Sequence, residues 1–184
     1  MATALLVIDM QNFFAPMVTS SLPNVLQLIA HFRSHNLPVI FTQHGHSDEE
    51  LTPPFRNMLV KKWGPDNSVR IGTKDWELIP SIRDLVRDDF PVVPKNTYDG
   101  FLGTPLSELL VKAGVEKIAV CGVMTDCCCD TTARAAFNRG FDTCLVGDAC
   151  GTTNAVQHER GLAVFEYAYG DIVSTDDVLK SVQG

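Results

Sequence analysis

The sequence lacks the features that mark membrane proteins and nucleic-acid-binding proteins. No apolar run approaches the length that a bilayer-spanning helix needs. Lys and Arg together number 15 against 22 Asp and Glu, which gives a net charge of -7 at pH 7. A chain with this charge repels nucleic-acid phosphates and anionic membrane surfaces. We therefore expect neither a nucleic-acid partner nor a membrane.

Several common cysteine and glycine motifs are also absent. The six cysteines include no Cys-x-x-Cys pair, and no Cys and His residues have the spacing of a structural zinc site. No Gly-x-Gly-x-x-Gly follows the first apolar run, which argues against a dinucleotide-binding protein. That run has no basic residues before it and stops at Asp9, which predicts a first strand and not a signal peptide. We therefore predict a cytoplasmic protein with reduced thiols.

Strand patterns and helix patterns alternate along the whole chain. A length of 184 residues with 45% hydrophobic and 20% charged residues predicts one domain, residues 1–184, with a good-sized core. The alternation predicts an α/β fold with a doubly wound parallel sheet. The predicted strands cover residues 4–8, 38–42, 90–94, 115–121, 143–146 and 172–173. The predicted helices cover residues 22–35, 76–87, 104–113, 154–169 and 175–182, with one more after the fourth strand.

The turn after the fourth predicted strand carries three consecutive cysteines, Cys127, Cys128 and Cys129. Thr125 or Asp126 can cap the helix that starts there. A cysteine at a helix N-terminus meets unpaired N–H groups and the positive end of the dipole, and both favour the nucleophilic thiolate. Helical spacing directs Cys129 to the sheet, Cys127 to a polar side and Cys128 along the rim of the strand ends. From these residues alone, either one cysteine is catalytic or all three are small buried hydrophobes.

Two charged residues lie at the C-terminal ends of predicted buried strands. Asp9 directly follows the first strand, where a carboxylate costs desolvation energy unless it has a partner or a task. A turn-initiating or capping Asp is an equal alternative. Lys95 ends the third strand and precedes an aromatic, glycine-bearing loop. Because the carboxyl ends of parallel strands meet at one edge of a sheet, Asp9, Lys95 and Cys128 can converge on one crevice.

Other residues could shape a pocket beside that crevice. Phe14 lies in the loop after the first strand. His44 and His46 follow the second strand, and their spacing could suit a metal, but no third ligand is evident nearby, which favours a polar loop. Residues 47–75, which include Trp63, form a long connection of the kind that is usually functional. We predict that this connection sets substrate specificity; packing on itself or on a second subunit is the alternative.

Taken together, these residues resemble the isochorismatase-like cysteine hydrolase superfamily. The matching segments are LLVIDMQNFF, VPKNTYDGF, CGVMTDCCCDTTARAAFNRGF and VGDACGTT with the following His158. They occur in order along nearly the whole chain. The resemblance implies a three-layer α/β/α sandwich with a six-stranded parallel sheet, and a catalytic triad of Asp9, Lys95 and Cys128.

The resemblance also implies details of the reaction site. It predicts a cis peptide between Val123 and Met124, and an oxyanion hole formed by the backbone N–H groups of Met124 and Cys128. In the reaction that we predict, Asp9 accepts the Cys128 proton and the thiolate attacks an amide-like carbonyl to give a thioester, which water hydrolyses. Lys95 holds Asp9 in place and stabilises the anionic pair.

Departures from the family pattern bear on the substrate. Isochorismatases proper carry glycine where this chain has Cys128, which argues against vinyl-ether hydrolysis and for covalent C–N cleavage. Nicotinamidases carry an Asp-x-His metal site where this chain has His44 and His46. We therefore predict a hydrolase of a small amide that uses neither a metal nor another cofactor. The alternatives are an isochorismatase-type vinyl-ether hydrolase and a thiol redox or non-catalytic protein.

The resemblance further implies a small-molecule substrate and a homo-oligomer, either a dimer or a tetramer. The residues that we expect to contact the substrate are Phe14, His44, Trp63, Tyr98, Phe101 and Val123.

Overall fold

A computed structural model describes residues 2–182 of the chain. The strands are β1 (Ala2–Ile8), β2 (Val39–His44), β3 (Val93–Lys95), β4 (Val115–Val123), β5 (Asp142–Gly151) and β6 (Ile172–Val173). They form one parallel sheet in the order β3-β2-β1-β4-β5-β6. The predicted six-stranded parallel sheet is therefore confirmed.

Helices cover both faces of the sheet. The α-helices are α1 (Leu22–Ser34), α2 (Met58–Trp63), α3 (Pro80–Arg83), α4 (Leu106–Lys112), α5 (Asp130–Phe137), α6 (Ala155–Ala168) and α7 (Thr175–Ser181). Among residues 2–182, no helix combines the length and the apolar composition that crossing a membrane requires.

The apolar run of β1 divides the core into two layers. Leu5 and Val7 pack in one cluster with buried residues of α1 and α7. Ala4, Leu6 and Ile8 pack in a second cluster with buried residues of α4, α5 and α6. Because both faces of β1 are covered, its side chains from Ala4 to Ile8 are apolar at every position and not only at alternate ones. This arrangement confirms the three-layer sandwich.

The predicted helix over residues 76–87 is largely absent. Only α3 is helical, because the backbone of Leu78 and Ile79 pairs with the segment that follows β1. Pro80 also holds Ile79 in an extended conformation, with φ -51° and ψ 134°. Long-range pairing therefore takes the backbone groups that a helix would have used.

The second and third strands differ in extent from the prediction. β2 continues to His44, and β3 is only three residues long and starts three residues later than predicted. In the sheet, His44 pairs with Lys95. The prediction that placed His44 in a loop is wrong, because pairing with β3 extends β2 by two residues. His44 and Lys95 are thereby fixed side by side at the carboxyl edge of the sheet.

Candidate active site

The strand order of the sheet reverses direction between the neighbouring strands β1 and β4. From β1 the sheet grows through β2 to β3, and from β4 it grows through β5 to β6. The connections that leave β1 and β4 therefore diverge, and open α/β sheets bind ligands in the crevice that this divergence creates. Asp9 follows β1 at this point, and the three-cysteine segment follows β4.

The backbones of β1 and β4 approach closely at the crevice. Gly122 lies opposite Ile8 in the strand register and has φ +117°. A Cβ atom at Gly122 would lie 2.2 Å from the Ile8 carbonyl oxygen, so only glycine fits there. One residue further along the chain, the Val123–Met124 peptide bond is cis, as expected.

Cys128 lies in a π-helical turn, Thr125–Cys129, and not in the first turn of an α-helix. The Met124 carbonyl accepts hydrogen bonds from the amides of Cys127 (3.1 Å) and Cys129 (3.0 Å), and α5 begins only after this turn. Cys129 is buried in the core and Cys127 is half-buried, in agreement with the directions predicted from helical spacing. The turn leaves Cys128 at the crevice.

Lys95 joins the other two predicted catalytic residues. Its Nζ atom lies 2.6 Å from Oδ2 of Asp9, 3.3 Å from Sγ of Cys128 and 3.0 Å from the carbonyl oxygen of Thr97. Nζ donates hydrogen bonds to the Thr97 carbonyl and the Cys128 sulfur and forms an ion pair with the Asp9 carboxylate, so the buried charge is compensated. The structure thus brings Asp9, Lys95 and Cys128 together.

Thr42 of β2 fixes the Asp9 carboxylate. The Thr42 hydroxyl donates to Oδ1 of Asp9 at 2.6 Å and accepts from the Asp9 backbone N–H at 3.1 Å. Asp9 has φ +49°, a left-handed conformation that costs a non-glycine residue about 1 kcal/mol or more. Thr42 was not among the predicted site residues. A hydroxyl near the end of an otherwise apolar strand is the sequence feature that could have indicated it.

Gln11, which was not predicted as a site residue either, forms hydrogen bonds that hold the end of β2 in place. Its side-chain amide donates to the carbonyl oxygens of His44 (2.8 Å) and Trp76 (2.7 Å), and its Oε1 accepts from the His44 N–H at 2.8 Å. Gln11 is fully buried. Its signal was an amide two residues after Asp9 within the same apolar segment.

Burial and nearby charges shift the pKa values of Cys128 and Lys95. Burial, together with the charge of the nearby Asp9 carboxylate, raises the pKa of Cys128 to about 12, and this outweighs the opposing effect of Lys95. The sequence-based expectation that helix geometry favours the thiolate is therefore wrong for the resting protein. Burial alone would lower the pKa of Lys95, but the neighbouring Asp9 carboxylate and Cys128 sulfur raise it.

A cavity of about 220 Å³ opens over Cys128. Within the part of the chain that the structure describes, no Lys, Arg, Asp or Glu side chain lines it. The 3-10 turn Asn12–Met17 and the long connection that includes α2 form much of its wall. The cavity therefore suits an uncharged ligand. The side chains from these two segments are Phe13, Phe14, Met17, Leu59, Trp63, Asn67, Ser68 and Val69.

Four of the six predicted contact residues line this cavity, namely Phe14, His44, Trp63 and Tyr98. The other two, Phe101 and Val123, do not line it. Phe101 is buried in the core, with the Arg139 guanidinium 4.6 Å from its ring centroid, and Val123 is buried in the opposite core layer. Both are near the catalytic residues in sequence, but their side chains point into the core. His46 and Thr153, for which no contact was predicted, line the cavity.

The His44 and His46 rings meet edge to face, with centroids 4.8 Å apart. Burial, followed by the nearby Lys95 charge, lowers the pKa of His44 to about 3. Burial also lowers the pKa of His46, although Glu50 opposes this. Both rings are therefore neutral at pH 7, and the 3.6 Å contact of His46 with Glu50 is a polar contact and not a salt bridge. Within residues 2–182, no group of three or more His, Cys, Asp or Glu side chains is arranged to hold a metal ion.

Comparisons with known proteins agree on one family. The model of the isochorismatase domain matches residues 3–177. Nicotinamidase 3 from Arabidopsis thaliana is 39% identical over 181 residues, which cover 98% of this chain and 89% of that protein. The crystal structure of N-carbamoylsarcosine amidase from Thermoplasma acidophilum superposes with a TM-score of 0.81 at 25% identity, over the whole of both chains. A cysteine hydrolase from Pseudomonas syringae shares the fold, with a TM-score of 0.86 at 24% identity over 97% of this chain and 91% of that one.

Proposed function

This chain belongs to the isochorismatase family of hydrolases, and we propose that it cleaves the C–N bond of a small neutral amide with Cys128 as the nucleophile. One observation carries the proposal: the Lys95 ammonium contacts both the Asp9 carboxylate and the Cys128 sulfur in one buried site. A base, a cation and a nucleophile in mutual reach are what covalent hydrolysis of an amide requires.

The first step of the proposed reaction moves the thiol proton. Because the raised pKa of Cys128 keeps the thiol protonated at pH 7, a base must remove its proton as the sulfur attacks. The Asp9 carboxylate is near enough for its charge to raise the pKa of the Cys128 thiol, and in the proposed reaction it accepts this proton. The negative charge then moves from the carboxylate to the sulfur, and the Lys95 ammonium, 3.3 Å from the sulfur, stabilises it there. The thiolate attacks the amide carbon to form a tetrahedral intermediate.

The later steps return the proton and release the acid. The backbone N–H groups of Met124 and Cys128 stabilise the oxyanion in this proposal, a contribution of about 3 kcal/mol per donor. Asp9 gives the proton to the leaving nitrogen, and the C–N bond breaks to leave a Cys128 thioester. Asp9 then accepts a proton from the attacking water, whose hydroxide adds to the thioester carbon. Collapse of that intermediate breaks the C–S bond and releases the carboxylic acid, and Asp9 returns the proton to the sulfur, which restores the thiol.

The cavity and the relatives support a small neutral amide as the substrate. A lining without charged side chains solvates a neutral carboxamide but not an isolated anion. The Arabidopsis relative is named a nicotinamidase, and the Thermoplasma neighbour is named an amidase. Nicotinamide is a neutral aromatic carboxamide, so it is the first compound to test.

The rival activity, vinyl-ether hydrolysis of isochorismate, fits this cavity less well. Isochorismate carries two carboxylates, and burying them without a paired cation is costly. That reaction also gives Cys128 no role as a nucleophile.

Ammonia release from a panel of neutral amides, with isochorismate assayed in parallel, tests the proposal. We expect Cys128→Ala to lose at least about a thousandfold in kcat. The matched control Cys127→Ala, one residue away in the same turn, should remain active. Intact mass after acid quenching should show an acyl adduct that maps to Cys128.

Three results would contradict the proposal. The first is an inactive Cys127→Ala with an active Cys128→Ala. The second is turnover of isochorismate without turnover of any amide. The third is reversible oxidation of the three cysteines in a protein that hydrolyses no amide, which would support the redox alternative.

A further inference from the structure

We propose that His44 and His46 form a metal-free hydrogen-bonding subsite that binds a polar heteroatom of the substrate outside the scissile amide. This inference rests on the proposed amide hydrolysis for the identity of the ligand. Within the cavity it assigns specificity to one pair of side chains.

Both histidine rings have nitrogen atoms without a hydrogen-bond partner. His44 is 7% exposed and His46 is 1% exposed, and both line the cavity. The Nδ1 atom of each ring is buried and has no hydrogen-bond partner among the described residues; Oε2 of Glu50 lies 3.6 Å from Nδ1 of His46, beyond hydrogen-bond distance. Since buried polar atoms in folded proteins are nearly always paired, two adjacent exceptions beside one cavity indicate that a bound ligand supplies the partner.

The neutral state of the two rings determines which ligand charge the pair suits. Burial and the Lys95 charge lower the pKa of His44 to about 3, and burial lowers the pKa of His46. A neutral imidazole offers one N–H donor and one acceptor nitrogen. The pair therefore suits a neutral heteroatom, such as a ring nitrogen or a carbonyl oxygen, and not a carboxylate.

The two histidines lack the further ligand that a metal site would need. Glu50 is the acidic side chain beside His46, with Oε2 3.6 Å from Nδ1, and its carboxylate is already occupied. Oε1 accepts from Asn57 (2.8 Å) and Asn96 (2.7 Å), and Oε2 accepts from the Ser47 N–H at 3.1 Å. Two histidines without a third ligand do not complete the three or four protein ligands that zinc takes. At this position nicotinamidases carry an Asp-x-His metal site, so His44 and His46 mark a departure from that pattern.

Gln11 and the sheet hold the pair in place. The Gln11 side chain bonds both the N–H and the carbonyl of His44, and β3 pairs with the same residue. The His46 N–H donates to the Val69 carbonyl at 2.8 Å. Both rings therefore project from fixed backbone, which is what a specificity subsite needs.

Binding to the Cys128→Ala protein tests the pair independently of turnover. Titration calorimetry in EDTA compares benzamide with the three pyridine carboxamides, which have the same ring size and place one nitrogen at different positions. At least one pyridine carboxamide should bind about tenfold or more tightly than benzamide. In Cys128→Ala/His46→Leu this preference should disappear while benzamide affinity stays within about twofold. Cys128→Ala/Thr153→Val, which changes a polar lining residue outside the pair, should keep the preference.

The outcomes separate this inference from the proposed function. Equal binding of benzamide and all three pyridine carboxamides by the Cys128→Ala protein would overturn the subsite, even if amide turnover is found. An equal loss of affinity for every ligand in the His46→Leu variant would also overturn it, because a structural role predicts that result. A preference that needs added Zn²⁺ would show a metal site instead. A ring-nitrogen preference in a protein without amide turnover would support the subsite while the hydrolase proposal fails.

Discussion

The Lys95 ammonium lies 2.6 Å from the Asp9 carboxylate, and both side chains are completely buried. Removing an ammonium and a carboxylate from water is costly, and their attraction offsets this cost only while both are present. The same ammonium contacts the Cys128 sulfur at 3.3 Å. Stability and the proposed chemistry therefore depend on the same three side chains.

Lys95→Met should destabilise the fold by about 3–5 kcal/mol, because it leaves the Asp9 carboxylate buried without a cation. Urea unfolding followed by circular dichroism measures the change. The double variant Asp9→Asn/Lys95→Met should recover part of the loss, since the amide carries no charge. If the losses in Lys95→Met and Asp9→Asn add up to the loss in the double variant, the two side chains are not energetically coupled.

Thr42→Val should lower the free energy of unfolding by about 1–3 kcal/mol, since the Asp9 N–H and Oδ1 both lose their hydroxyl partner. The substitution keeps the shape of the side chain, so packing changes little. Amide turnover should also fall, because the Asp9 carboxylate is held less firmly. Thr42→Ser retains the hydroxyl and should preserve turnover; a Ser variant as impaired as the Val variant would contradict this role.

Gly122→Ala should lose about 4 kcal/mol or more, or fail to fold, because the new Cβ would lie 2.2 Å from the Ile8 carbonyl oxygen. Gly103→Ala is the matched control. Gly103 also has a positive φ, +69°, but a Cβ there would meet nothing within 4 Å, so we expect a loss of only about 1–2 kcal/mol. Thermal unfolding compares the two variants, and similar losses would show that backbone conformation and not close approach is decisive.

His44 should make stability fall as the pH is lowered below about 6.5. In the unfolded chain His44 takes up a proton near its ordinary pKa of 6.5, whereas in the fold burial and Lys95 lower this pKa to about 3. Between these values the unfolded state binds more protons, so stability rises with pH across this window and is lost on acidification. From pH 6.5 to 4.5 the expected loss is about 2 kcal/mol.

Urea unfolding at several pH values isolates this effect by comparing the wild type with His44→Gln. The variant should show a shallower slope between pH 4.5 and 6.5, and the difference between the two proteins should be constant above pH 8. Parallel slopes would mean that His44 titrates normally in the fold.

The sequence by itself determined the sheet, and its resemblance to a known family singled out the three central side chains. Continuous apolar runs are local signals, so the strands and the parallel α/β architecture followed from them, and the ends of β1, β3 and β4 placed Asp9, Lys95 and Cys128 at one edge. Helical spacing also predicted that Cys129 would pack in the core. Their catalytic roles stay predictions until turnover is measured.

Only the tertiary structure decided which neighbours surround those side chains. The bonds from Thr42 to Asp9 and from Gln11 to His44 each join residues 33 positions apart, so no local pattern encodes them. The direction of the Phe101 side chain depends on packing between distant elements in the same way. The Cys128 pKa was mispredicted for the same reason: helix position is local, but burial and a neighbouring carboxylate exist only once the chain has folded.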